Sequence, residues 1–188
     1  MIDSQGLRIE KIHADYKNGR MRPRDLLSEI SNRIRACDIN PVWIDVPPDE
    51  AIHAQIDRLP GEYDDSLPLF GIPFAIKDNM DLQGHPTTAG CPAYAYIAKE
   101  TAPAIARLLA AGAILVGKTA MDQFVTGTTG TRSPYGPCPS ALNPAYVAGG
   151  SSSGSAVAVA AGLVSFSLLV PTPLAPDGFP RRSIRSWG

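Results

Sequence analysis

The order of apolar segments in the middle of the chain narrows the fold most. Residues 69–76, Leu-Phe-Gly-Ile-Pro-Phe-Ala-Ile, are a short apolar run punctuated by turn formers, which predicts a buried strand whose end presents Lys77. Thr101 is placed to cap a helix running to about residue 111, with Ile105, Leu108 and Leu109 on one face and Gly112 to end it. A second strand follows at residues 114–117. Strand, helix and strand in this order predict an α/β sandwich around a buried sheet. Upstream, residues 7–16 and 24–37 carry apolar positions at helical spacing, and Pro23 suits a helix start. These predict an N-terminal helical layer. A proline-rich stretch follows, with a short helix expected at about residues 48–59.

Further along, residues 149–155 read Gly-Gly-Ser-Ser-Ser-Gly-Ser, and from Ala156 the chain is apolar all round, as in a helix buried at the centre of a domain. That helix is too short to cross a bilayer. Beginning just after the serines, it would aim its N-terminal amides at whatever binds there, favouring a carbonyl or carboxylate.

Composition removes several functional classes. With a net charge of −1 and a pI near 6.3, nothing draws the surface to nucleic acid or to an acidic membrane, so a small-molecule partner is expected. The opening Met1-Ile2-Asp3-Ser4-Gln5 lacks a basic segment before an apolar one, which makes cytoplasm the default. Cys37, Cys91 and Cys138 have no metal-ligand spacing and read as reduced thiols. His13, His53 and His85 are scattered, so neither a Ser-His-Asp triad nor a histidine-bound metal is indicated. No metal and no cofactor are expected.

Chemistry therefore falls to serine and lysine. Serine is a weak nucleophile until a partner takes its proton, and lysine can do this only when a dry pocket or a neighbouring positive field lowers its pKa from about 10.4. A lysine after a strand is by itself more often a solvated strand end, and a Gly/Ser run more often a linker. Together, and with their flanks, they resemble the amidase signature family. Residues 71–79, Gly-Ile-Pro-Phe-Ala-Ile-Lys-Asp-Asn, look like its lysine segment, and residues 149–161 like its Gly-Gly-Ser-Ser-Gly-Gly-Ser box, with Ser153 where glycine is common. Thr87-Thr88-Ala89-Gly90-Cys91 and residues 112–119 match the family segments between them.

The resemblance covers about residues 20–168 and implies the α/β amidase signature fold, a mixed sheet core covered by helices and incomplete in this chain, and an amide hydrolase with a Ser-Ser-Lys triad. Lys77 would be the terminal base and Ser151, held by a cis peptide, the proton relay. Gly149, Gly150, Ser152 and Arg132 would be substrate-binding, with Arg132 as well suited to anchoring a loop as to binding a carboxylate. Ser152, Ser153 and Ser155 otherwise read as loop-shaping and capping residues, and Asp78 and Asn79 as a hydrogen-bonded turn beside the site. Residues 122–136 and Asn40-Pro41-Val42-Trp43-Ile44 resemble the allophanate hydrolases of the family, which release ammonia and carbon dioxide in urea degradation. Another amidase, a glutamyl-tRNA amidotransferase subunit-like protein or a non-catalytic binding remnant are the alternatives. The resemblance also implies a homodimer.

After Leu168 the likeness ends. The family continues Gly-Thr-Asp-Thr-Ala-Gly-Ser, whose serine is the nucleophile, whereas Ala175 stands at that position here. With suitable codons, the family segment read one nucleotide later yields Val170 through Ile184 in order. A shifted reading frame is therefore expected. Residues 1–168 would be the N-terminal part of an amidase domain and residues 169–188 an irregular tail, with Pro171, Pro173, Pro176 and Pro180 excluding regular structure. A chain without that serine is expected to be inactive, with part of its sheet and an apolar helix uncovered.

Overall fold

A computed structural model describes residues 7–169. The tail expected to be irregular lies outside them, apart from Leu169. The N-terminal layer comprises α1 (Ile9–Lys17), α2 (Pro23–Ala36) and α3 (Asp49–Ile56). Pro23 opens α2, where its missing N–H is no loss, and the Asp25 carboxylate accepts the Arg22 amide at 3.2 Å. Between α2 and α3 lies β1 (Trp43–Asp45).

The core is a four-stranded sheet in the order β1, β5 (Ile114–Thr119), β2 (Pro73–Lys77), β6 (Phe166–Leu168). β2 is parallel to both β5 and β6, and β1 runs antiparallel to β5. Between β2 and β5 the chain forms the small hairpin β3 (Pro86–Thr87) and β4 (Tyr96–Ile97), then crosses back through α4 (Pro103–Ala110). Every residue of β2 and β5 is buried, as expected of strands covered on both faces. Ala75, Ile114 and Val116 pack with α1, α2 and α5 (Ser153–Ala160), whereas Phe74, Ile76 and Leu115 pack with Ile105 of α4. Phe74 stacks on Phe166 with ring centroids 5.3 Å apart, joining β2 to β6.

Several local expectations are corrected. The 40–44 segment contributes a strand, because β5 offers its free edge there: Trp43 pairs with Thr119, and Val42 O accepts the Ala120 amide at 2.8 Å. Thr101 does not cap α4. Its Oγ1 accepts the Gln83 amide at 3.1 Å, while Ala102 occupies the cap position ahead of Pro103. The helix placed from Ala156 starts at Ser153; its outer face is uncovered, as expected of this helix in a chain whose family likeness stops after Leu168. Val157 and Ala158 face the sheet, but Ala156, Val159 and Ala160 are exposed because no described element lies over them.

β1 is too short to run alongside the whole of β5, and Gln55 takes over where it stops. The Gln55 side-chain amide donates to Leu115 O and accepts from Leu115 N, both at 2.9 Å, imitating a paired strand.

Candidate active site

The register of the parallel strands sets which way each polar side chain points. Lys77 pairs with Thr119, and Ile76 with Lys118, so strand alternation sends the two lysines to opposite faces at the strands' C-terminal ends. On the α5 side, Thr119 Oγ1 lies 2.7 Å from Ser155 Oγ. The Lys77 ammonium donates to Ser151 Oγ at 2.7 Å and to Ser152 Oγ at 2.8 Å.

Ser151 is 7% exposed and Lys77 fully buried, so the ammonium is held by hydroxyls in place of water. Hydroxyl dipoles compensate a buried charge only partly. Burial therefore pulls the Lys77 pKa down from 10.5 to about 8, with the nearby Asp122 carboxylate opposing the fall. A lysine so placed has an appreciable neutral fraction near neutrality.

The serine loop is seated by close backbone approach. The peptide between Gly150 and Ser151 is cis, and Gly150 N donates to Thr128 O at 2.9 Å. Gly154 comes so near the end of β5 that a Cβ on it would stand 2.6 Å from Ala120 N. The Gly154 amide is consequently bonded to Ala120 O at 3.0 Å, so this first-turn donor of α5 serves the fold rather than a ligand. Ser152, expected to shape or cap, makes no capping bond and instead accepts from Lys77.

Gly149, Gly150 and Ser152 line an open groove of about 370 Å³ with Thr128, Ser155 and Val159. Arg132 lies outside this lining. Its backbone N donates to Asp122 Oδ1 at 2.7 Å and its guanidinium to Thr126 O at 3.0 Å, the loop-anchoring alternative. A larger cleft of about 710 Å³, lined by Gln55, Leu59, His85 and Leu109 among others, contains neither Lys77 nor the serines.

On the opposite face, Lys118 and Asp78 form a buried pair at 3.4 Å. Lys118 also donates to Pro86 O and to Thr87 Oγ1, while Asp78 Oδ2 accepts from Thr88 N, Thr88 Oγ1 and Gly90 N. These bonds tie the pair to the 86–90 segment rather than to the serines. Burial lowers the Lys118 pKa, with Asp78 opposing.

Asp122, which motif reading passed over as part of a segment, is fully buried beside the serine loop. Its only signal was indirect, an acidic residue followed by glycines at 127 and 130. Among the described residues no group of three or more His, Cys, Asp or Glu could hold a metal ion, and no helix is long and apolar enough to cross a membrane.

A mixed sheet between helical layers holds, at its strands' C-terminal ends, a desolvated lysine against two serines of a glycine-rich loop. Residues 25–168 match the Amidase family, and the chain belongs to it. The chain is 44% identical over 144 residues to the urea amidolyase of Saccharomyces cerevisiae, covering 76% of this chain and 8% of that protein. It is 43% identical over 122 residues to a glutamyl-tRNA(Gln) amidotransferase subunit from Methanospirillum hungatei, covering 64% of this chain and 28% of that one. In three dimensions it resembles Kluyveromyces lactis allophanate hydrolase with a TM-score of 0.73 at 38% identity, over 85% of this chain and 26% of that chain. The chain thus spans less than a tenth of the yeast amidolyase and about a quarter of the allophanate hydrolase.

Proposed function

We propose that this chain carries the base and proton-relay half of an allophanate hydrolase site. The observation that carries the reading is the buried Lys77 Nζ held at 2.7 and 2.8 Å from Ser151 Oγ and Ser152 Oγ. In its neutral form Lys77 takes the Ser151 proton while Ser151 takes one from the attacking serine, whose oxygen bonds to the amide carbon; the proton returns through Ser151 to the departing nitrogen as the C–N bond breaks, and water then cleaves the acyl-enzyme ester, releasing the acid and restoring the serine. Ser152, in reach of the same nitrogen, holds the lysine between two acceptors. The family's nucleophile position falls at Ala175, outside the described residues, so the chain as it stands retains base and relay without acyl transfer. Allophanate is the preferred substrate because residues 122–136 resemble the allophanate hydrolases and because the urea amidolyase and allophanate hydrolase relatives share this part of the chain. Likeness to glutamyl-tRNA(Gln) amidotransferase subunits favours a glutaminyl amide as the second reading.

The test is ammonia release. The purified chain is expected to release none from allophanate above background, and turnover abolished by Lys77→Ala would overturn that expectation. A version with the family frame restored after Leu168, together with its downstream coding sequence, is expected to hydrolyse allophanate. Lys77→Ala and Ser151→Ala should each lower that activity by orders of magnitude, and together by little more than the worse of the two. A restored, folded protein that acts on glutaminyl amides and leaves allophanate untouched would replace the first reading by the second.

A further inference from the structure

Asp122 lies just past the end of β5, and its carboxylate is spent on the loops around the site. Oδ2 accepts the Gly130 amide at 3.1 Å, Oδ1 accepts the Arg132 amide at 2.7 Å, and the residue's own amide donates to Ser151 O at 3.0 Å. A Cβ at either Gly127 or Gly150 would collide with the Asp122 carboxylate, so both loops press directly onto it. Gly130 in turn leaves no room for a Cβ, which would stand 2.7 Å from Gly149 O. One buried side chain thus gathers the end of β5, the 127–132 loop and the 149–151 loop at a single point. Among the described residues it is also the charged group whose field is felt by Lys77, whose ammonium donates to the two hydroxyls.

We propose that Asp122 is the positioning residue of the site: its buried carboxylate, bonded to the 127–132 loop and pressed against the 149–151 loop, fixes Ser151 against Lys77 and places a negative charge near that lysine. The inference rests on the reading of Lys77 and Ser151 as a proton-transfer pair. A relay must pass the proton in both directions, and a buried lysine facing only hydroxyls would be biased toward the neutral form. The carboxylate opposes that bias through its field, while its own hydrogen bonds go to the backbone amides of Gly130 and Arg132.

The test is a carbon-detected titration of the lysine side chains in this chain, with Lys77 assigned by its loss in Lys77→Met. Asp122→Asn keeps the shape, removes the charge and leaves one acceptor for two amides. The Lys77 midpoint is expected to fall by roughly one pH unit, the lower end of the range for loss of a nearby opposite charge. Hydrogen exchange at Gly130 or Arg132 is expected to quicken at least about tenfold as one amide loses its acceptor. The first change is one that a purely structural role would not produce. An Asp122→Asn protein that folds with the Lys77 midpoint unmoved overturns the proposal. Should that variant not fold, Asp122→Glu, which retains the charge on a longer arm, is expected to leave the midpoint within a few tenths of a unit of the parent while quickening exchange at the two amides; unchanged exchange at both overturns the proposal. A parent chain in which Lys77 titrates at its ordinary 10.5 would instead refute the proton-transfer reading itself, independently of any Asp122 variant.

Discussion

Replacing Lys77 by methionine exposes how much the fold loses by burying that ammonium. The folded chain binds the Lys77 proton less tightly than the unfolded chain does, with the pKa falling from 10.5 to about 8. Below pH 8 lysine is charged in both states and the full penalty applies. Between 8 and 10.5 the unfolded state holds more protons, so stability contributed by this site rises with pH, and above 10.5 the penalty is gone. At about 1.4 kcal/mol per pH unit the drop corresponds to about 3 kcal/mol. Lys77→Met lacks this dependence, and the hydrogen bonds it forfeits to Ser151 and Ser152 add an offset that does not change with pH. Urea unfolding followed by circular dichroism at several pH values from 7 to 11, at constant ionic strength, gives both stabilities, and groups common to the two proteins cancel in their difference. Relative to Lys77→Met, the parent chain is expected to gain about 3 kcal/mol across this range. A difference that stays flat, or that moves against the parent as pH rises, would refute the desolvated-lysine reasoning.

Gly154→Ala should cost about 3 kcal/mol in the same assay, since the new methyl meets Ala120 backbone atoms that cannot yield, whereas Gly61→Ala, with open space around it, should stay within about 0.5 kcal/mol. Gln55→Leu should cost about 2 kcal/mol and speed hydrogen exchange at Leu115, whose amide loses its acceptor. Lys118→Met leaves the fully buried Asp78 without its cation and should cost about 3 kcal/mol; adding Asp78→Asn should recover part of the loss, and a double variant worse than the sum of the singles would contradict the pairing.

What could be seen in the sequence follows from how locally each feature is determined. β2 and β5 were legible over residues 73–76 and 114–117 because strands buried on both faces are largely apolar, although residues 69–72, read as part of the first strand, turn ahead of it. The helix between them was legible because Gly112, at φ +92, ends it where a side chain would be strained. Lys77 stood out as a charge closing an apolar run, whereas Lys118, which closes residues 114–117 in the same way, was not singled out. β1 was not legible: three residues after a proline become a strand only because β5 offers an edge. Thr101 had the right chemistry for a cap, but the chain enters α4 two residues later, at Pro103. The roles of Ser152 and Asp122 escaped for a different reason. Each is decided by partners elsewhere in the chain, Lys77 for the serine and the 130–132 amides for the aspartate, and linear order carries no trace of those meetings.

The parallel pairing of β2 with β5 and β6 also dictates when the site comes into being. Lys77 and Ser151 are 74 positions apart in the chain, and the Ser167 hydroxyl that reaches back to Ala75 O does so across 92. Contacts of such separation must meet their loop-closure entropy before they return any stability, so they form late. Until the serine loop packs against the end of β2, the hydroxyls that hold Lys77 are not in place, so the burial that lowers its pKa is expected to be complete only once this long-range contact has formed. Proton affinity at this one nitrogen therefore reports on whether a contact spanning 74 positions is made.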